Sequence, residues 1–369
     1  MKALKVFRIF GIDIKLHYSW YFIFILLVWS LASSFFPHYF PNYSPRTYWL
    51  MGILAALLLF ISVLLHELSH SLVARMKKIN VESITLFFFG GVAGIESEDL
   101  KPSSEFLMAV AGPLFSLVLA GIFYLIYIFD GNGVITAITF YLWQLNLILA
   151  LFNLVPGFPL DGGRAFRAIL NAYYKDLKKA TRIAAAVGKI FAGILVFLGV
   201  LGMFTTTGGG LWFVLIGGFL YFIAGVSYSQ VVIKDILDKV KVKTLMRKNI
   251  KVLNGEMRFK EFVNKLANVE DNIFLVDGKL LNAALVQSVD GNVKLNQLAV
   301  PIKNLKVIGS NDTAYKAFKL SGESGGAVPV VERGKIIGIV TEGVLMNRLA
   351  WELKFSGHKG LHQHKKIKH

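Results

Sequence analysis

The chain has 369 residues, of which 55% are hydrophobic, and a formal net charge of +17. A composition this apolar excludes an ordinary soluble protein and is typical of a polytopic membrane protein with a soluble part. Cysteine is absent, which excludes disulfides, thiolate metal ligands and thiol nucleophiles. The positive charge predicts cytosolic loops and attraction to the anionic lipid bilayer, and not nucleic-acid binding, because no basic and aromatic reading motif accompanies it.

Apolar segments long enough to cross a bilayer recur along the first two thirds of the chain, since about 20 apolar residues suffice. Six are predicted, at approximately 18–36, 49–74, 106–129, 134–155, 183–204 and 211–233. Basic residues cluster in alternate loops, which predicts a multi-pass protein of the cell membrane with both termini in the cytosol. A cleaved signal peptide is the alternative at the N-terminus, but Asp13, Lys15 and His17 favour a retained first span.

Residues 84–95 read ITLFFFGGVAGI and are too few for a helical span. Their β-rich character and glycines predict a hairpin or a re-entrant strand. At membrane depth such a strand must be buried in protein or line a cavity.

The second predicted span contains the sequence His66-Glu67-Leu68-Ser69-His70. In a helix His66 and His70 lie on one face, where two neutral imidazoles suit zinc, and the Glu67 carboxylate can act as a general base. Ionisable groups at membrane depth are costly and are functional candidates. His66 lies nine residues before Arg75, about 14 Å from the cytosolic end of the helix. The motif therefore predicts a zinc-dependent protease that acts within the membrane.

A third zinc ligand is needed, and the best candidate among the carboxylates is Asp161. It stands in the sequence NLVPGFPLDGGR, which covers residues 153–164. Its prolines and glycines, Gly162 and Gly163 included, are not expected to continue a regular helix, so the chain is predicted to unwind near the end of the fourth span. An ordinary turn at the membrane exit is the alternative interpretation of this segment.

These two motifs together resemble those of the site-2 protease family of intramembrane zinc metalloproteases. The resemblance covers residues 1–235 and implies one Zn²⁺ per chain, with His66, His70 and Asp161 as ligands and Glu67 as the catalytic glutamate. Asn153 matches an asparagine of the family motif that is associated with substrate binding. Ala111-Gly112-Pro113, at the head of the predicted third span, matches another recurring family feature.

From about residue 240 the composition changes to that of a soluble α/β domain, with two similar halves at 240–290 and 297–349. Strands are predicted at 273–276, 283–286, 328–331 and 336–340, and helices at 259–267 and 313–320. The sequence GGAVPVVERGKIIGIVTEG resembles a CBS domain, which implies a C-terminal CBS pair. The predicted fold is therefore a polytopic α-helical membrane protein with a short re-entrant β segment (1–235), a cytosolic α/β CBS pair (240–350) and a basic, histidine-containing tail (351–369).

CBS pairs often bind adenine nucleotides, with a Thr and an Asp three residues later that hold the ribose. Here Thr341 is followed by Val344, and the first half has Leu285 and Ser288 at the aligned positions. Both sites depart from the pattern, so homodimerisation or substrate docking is the competing role for the pair. The tail histidines fit a solvated basic segment better than a metal site.

The expected substrates are single-span membrane proteins. A substrate helix must unwind before it is cleaved, because its amides are engaged in helical hydrogen bonds. An exposed strand edge around residues 84–92, with Gly90 and Gly91, could hold the unwound segment by β-addition. Two other functions are weighed: a metal transporter regulated by the CBS pair, and a non-catalytic membrane scaffold. A transporter predicts further ligands in several spans, which the sequence lacks, and a scaffold has no need of Glu67 or Asp161.

Overall fold

The computed structural model describes residues 3–87, 90–95, 100–131, 133–204, 210–266, 273–283, 286, 289–301, 304–324 and 326–363. The chain forms two compact units, Met1–Ser229 and Gln230–His369. The first unit contains long helices and one small sheet, and the second contains short strands and helices.

Long apolar helices dominate the first unit, as the composition predicts. They are α1 (Tyr18–Ser30), which continues through a π-helical turn (Leu31–Phe35) into α2 (Phe36–Tyr39), then α3 (Pro45–Met76), α4 (Pro102–Asp130), α5 (Val134–Asn153), α6 (Asp161–Tyr174), α7 (Leu177–Met203) and α8 (Gly210–Asp238). Among the described residues, six segments are long and apolar enough to cross a membrane, with α1, the π-turn and α2 counted as one and α6 excluded. The predicted spans are confirmed, and several helices extend a turn or two beyond them.

Helix α3 begins where the sequence supplies a cap. The Ser44 side chain accepts a hydrogen bond from the Thr47 N–H at 3.3 Å, and Pro45 occupies the first turn, where its missing N–H is not needed. Helix α4 likewise begins with Pro102. As a result Gly112 and Pro113 lie in the interior of α4, more than two helical turns after its first residue.

A four-stranded sheet completes the first unit. Its strands are β1 (Ala3–Ile9), β2 (Ile12–His17), β3 (Val81–Phe87) and β4 (Gly90–Ile95), in that spatial order. Strands β3 and β4 pair antiparallel, which confirms the predicted hairpin; residues 88–89 between them lie outside the described part of the chain. The β1–β2 hairpin was not predicted. Strand β3 pairs with both β2 and β4, so within this hairpin β4 is the edge strand, and the part of the predicted 84–92 edge that lies in β3 is wrong.

The sheet packs against one side of α3. Leu64 and Leu68, one helical turn apart, share a buried core with Ile14, Ile84 and Leu86 of the sheet. The histidines of α3 lie about 200° around the helix from these leucines, because successive residues are about 100° apart. The apolar positions of α3 therefore fix its orientation, and the histidines face away from the sheet.

The second unit contains two small sheets, one in each half. The first has β5 (Val252–Leu253), β6 (Ile273–Val276) and β7 (Lys279–Asn282), and the second has β8 (Ala327–Glu332) and β9 (Lys335–Thr341). The helices are α9 (Val242–Leu245), α10 (Phe259–Leu266), α11 (Leu295–Leu298), α12 (Ala314–Glu323) and α13 (Glu342–Gln363). Of the strand predicted at 283–286, residues 284–285 lie outside the described part of the chain, and Ala283 and Val286 are not in a strand. A tight turn at Asp277 and Gly278, both with positive φ, starts β7 at Lys279 instead.

Candidate metal centre

Three side chains from two helices converge at one point in the first unit. The Nε2 atoms of His66 and His70 lie 3.3 Å apart. Asp161 Oδ2 lies 3.2 Å from Nε2 of His66 and 3.1 Å from Nε2 of His70. Both histidines are buried, with exposed fractions of 3% and 4%. Asp161 follows His70 by 91 positions and His66 by 95 positions in the sequence. The three side chains nevertheless form a compact triangle of potential ligand atoms.

The triangle has the dimensions of a tetrahedral zinc site. Ligand atoms about 2.0–2.1 Å from a tetrahedral zinc ion lie about 3.4 Å from each other, close to the observed separations of 3.1–3.3 Å. Asp161 contributes a carboxyl group, and the ionised form of that group is the one that binds a metal ion.

Helix α4 orients both imidazoles. His70 Nδ1 donates a hydrogen bond to the Met108 carbonyl at 2.6 Å, and His66 Nδ1 lies 2.8 Å from Ser116 Oγ. A protonated Nδ1 leaves the Nε2 lone pair free for a metal ion, the arrangement that metal-binding histidines usually show. Sequence reasoning missed both partners, because one is a backbone carbonyl and the other an ordinary serine in an apolar helix.

Gly112 of α4 lies directly against the two histidines. A Cβ atom at this position would be 2.2 Å from His70 Nε2 and 2.6 Å from His66 Nε2. Any side chain here would therefore collide with the ligand nitrogens. The sequence pointed to Gly112 only as part of Ala111-Gly112-Pro113, whereas its role follows from its position opposite the histidines.

The third ligand candidate stands at the start of α6, after a non-helical segment at residues 154–160. This segment confirms that the chain unwinds after α5, but Gly162 and Gly163 lie inside α6, so their prediction as helix breakers is wrong. A Cβ on Gly162 would be 2.3 Å from the Leu154 carbonyl oxygen. These glycines are needed for the close approach of loop and helix, and Asp161 occupies the first turn, where a negative charge is favourable.

Glu67 and the glycines of β4 form the remaining part of the site. A Cβ on Gly91 would be 2.4 Å from Glu67 Cγ and 3.2 Å from its Oε1, so the edge strand β4 passes directly beside this carboxylate. Gly90 has a φ of +130°, and nothing lies within 4 Å of the position that a Cβ atom would occupy. The structure thus brings Gly91 next to Glu67, while Gly90 serves the backbone conformation of β4.

Asn153 is the last residue of α5 and is partly buried. It directly precedes the segment that leads to Asp161. No hydrogen bond of its side chain is present among the described residues, so its role in substrate binding stays a prediction.

A cleft of about 610 Å³ lies between the two halves of the second unit. Its polar lining comprises Asn282, Gln297, Asn304, Lys306 and Ser324. Val344, at the position where a ribose-binding Asp would stand, is on α13. Leu285 and Ser288 lie outside the described residues.

A bundle of membrane-length helices with two histidines and a carboxylate directed at one point defines the class of membrane-embedded metallohydrolases. Comparison with known proteins identifies the family. The model of peptidase family M50 matches residues 54–140 and 129–198, and the CBS domain model matches residues 297–350. The chain belongs to peptidase family M50, the site-2 protease family of intramembrane zinc metalloproteases.

Similar proteins match over nearly the whole chain. "Putative zinc metalloprotease sll0528" of Synechocystis sp. is 31% identical over 94% of this chain and 95% of its own length. "Zinc metalloprotease MJ0392" of Methanocaldococcus jannaschii is 32% identical over 94% of this chain and 96% of its own. The resemblance drawn from the two motifs is thereby confirmed, and the scaffold and transporter alternatives gain no support.

Proposed function

We propose that His66, His70 and Asp161 bind one zinc ion and that Glu67 is the general base in the hydrolysis of peptide bonds within membrane-anchored, single-span substrates. The observation that carries this proposal is the triangle of potential ligand atoms, with sides of 3.1–3.3 Å. Glu67 lies beside this triangle, on the same helix as the two histidines. When bound, zinc would polarise the attacking water and the scissile carbonyl.

The protein side chains supply the proton transfers. Glu67 takes a proton from the attacking water and later passes one to the leaving amine. Its carboxylate is held against β4, where the absence of a side chain on Gly91 leaves the strand in direct contact with it. Ser116 and the Met108 carbonyl keep both imidazoles in the tautomer that directs Nε2 towards the metal position.

The edge of β4 supports a role in binding the substrate. As one of the two outer strands of the sheet, β4 pairs with β3 on one side, so its other side can accept an unwound substrate segment by β-addition. Such pairing would place the extended segment beside Glu67, because Gly91 lies in β4. Asn153 is the second candidate for contact with substrate.

Cleavage of a single-span reporter by the purified full chain tests the assignment of Glu67. We expect Glu67→Gln to retain about one zinc per chain and to lose turnover by about 10²–10⁴-fold, the usual contribution of a general base. A zinc chelator should abolish cleavage by the parent protein. Glu82→Gln is the matched control, since Glu82 lies exposed in β3. Parent-like cleavage by Glu67→Gln would rule out Glu67 as the base.

We propose further that the CBS pair acts as a homodimerisation or substrate-docking module and not as an adenine nucleotide sensor. The cleft between its halves is large enough for a ligand, but Val344 offers no carboxylate to a ribose. We expect AMP and ATP at millimolar concentration to leave the unfolding temperature of the full chain unchanged. A stabilisation that saturates with nucleotide would contradict this proposal.

A further inference from the structure

A buried ion pair lies in the first unit, away from the ligand triangle. Glu105 stands in the first turn of α4 with an exposed fraction of only 1%. Its partner is Arg167 of α6, whose side chain is 17% exposed. Removing two charges from water is costly, and a pair of well-packed apolar residues often gives equal or greater stability. Stability alone therefore does not account for this pair.

Arg167 contacts two parts of the structure at once. Its Nε donates a hydrogen bond to Glu105 Oε1 at 2.7 Å, and its Nη2 donates to the same oxygen. The guanidinium carbon also lies 5.0 Å from the centre of the Phe158 ring, within the range of a cation–π interaction. Phe158 belongs to the segment that leads directly to Asp161. Arg167 thus joins α4, α6 and this segment.

Helix α4 contacts both helices that carry the proposed ligands: α3, with the two histidines, and α6, which begins with Asp161. It provides the Met108 carbonyl and Ser116, which orient the histidines, and it packs against both α3 and α6. Glu105 lies three residues before Met108, and Arg167 lies six residues after Asp161. The ion pair therefore connects the part of α4 that holds the histidines to the helix that begins with the carboxylate.

We propose that Glu105 and Arg167 are positioning residues for the metal site: their ion pair fixes α6 against α4 so that Asp161 Oδ2 meets both imidazoles. This inference rests on the zinc site proposed above. Ligand groups must be held within about 0.5 Å of their productive positions. Asp161 follows an irregular segment, so the contact between α4 and α6 helps to determine where its carboxylate lies.

The decisive variant replaces both charges, Glu105→Leu together with Arg167→Met. Because no unpaired charge remains buried, this protein is expected to fold. We expect its dissociation constant for Zn²⁺, measured by competition with a chromogenic chelator, to rise about 10–100-fold. Cooperative unfolding of the zinc-free protein should persist. The readout is affinity for the metal alone and does not depend on cleavage.

Two further variants separate positioning from packing. Arg167→Lys keeps the charge but loses the two-donor contact with Glu105, and it should weaken Zn²⁺ binding to an intermediate degree. Arg182→Lys is the matched control on the exposed face of α7 and should bind Zn²⁺ like the parent. A folded double variant with parent-like Zn²⁺ affinity would overturn the positioning role. A parent protein that binds no Zn²⁺ would instead overturn the proposed site, and this inference with it.

Discussion

At the scale of single residues, the proposed zinc site depends on a glycine as much as on the three side chains proposed as ligands. Gly112 is in the interior of α4, where alanine would ordinarily stabilise a helix by about 0.5–1 kcal/mol. Here a methyl group would lie 2.2 Å from His70 Nε2. We therefore predict that Gly112→Ala folds but loses measurable zinc binding, with zinc content per purified chain as the measurement.

The same helix offers a matched control for this substitution. Gly121 of α4 has open space around the position of a Cβ atom. Gly121→Ala should bind zinc and cleave substrate like the parent protein, with equal or greater thermal stability. If Gly112→Ala retained a full equivalent of zinc, the metal position opposite Gly112 would be wrong.

At the scale of elements, the segment at 154–160 is held by α7. The Phe158 N–H donates to the Ala184 carbonyl at 3.2 Å, and a Cβ on Gly188 would be 2.0 Å from the Phe158 carbonyl oxygen. Overpacking of this kind costs about 1–3 kcal/mol. We predict that Gly188→Ala displaces the segment and with it Asp161, so that zinc affinity falls about tenfold or more. Chelator competition measures this change.

Gly193, also in α7, provides the control for Gly188→Ala, because nothing lies within 4 Å of its Cβ position. Gly193→Ala should match the parent in zinc affinity. Equal affinities for the Gly188→Ala and Gly193→Ala proteins would mean that α7 does not determine the position of Asp161.

The sequence predicted elements with strong local signals and missed those that depend on distant partners. Long apolar runs predicted the spans, and the spacing of His66 and His70 predicted their shared face. The pairing of the β1–β2 hairpin with β3 was missed because it joins segments about 70 residues apart. The burial of Glu105 could not be predicted, since its partner Arg167 lies 62 residues away. Such long-range contacts leave no periodic signal in one sequence.

At the scale of the whole molecule, the spans and the charges together define a topology. The described part of the chain has six candidate spans, an even number, which places both ends of the transmembrane part on the same side of the membrane. We propose that this side is the cytosol, because basic residues cluster in alternate loops and these loops lie on the same side as the two ends. The proposed zinc site on α3 then lies nearer to the cytosolic surface than to the outer one.

The absence of cysteine from the chain makes this topology directly measurable. Pro41 and Lys77 are exposed residues that flank the two ends of α3. A membrane-impermeant maleimide should label Pro41→Cys in intact cells, because this end of α3 faces outwards. Lys77→Cys should be labelled only after the cells are permeabilised, and the cysteine-free parent provides the background. The reverse pattern would place both termini outside, with the zinc site nearer to the outer surface. Labelling of both positions in intact cells would show that α3 does not span the membrane.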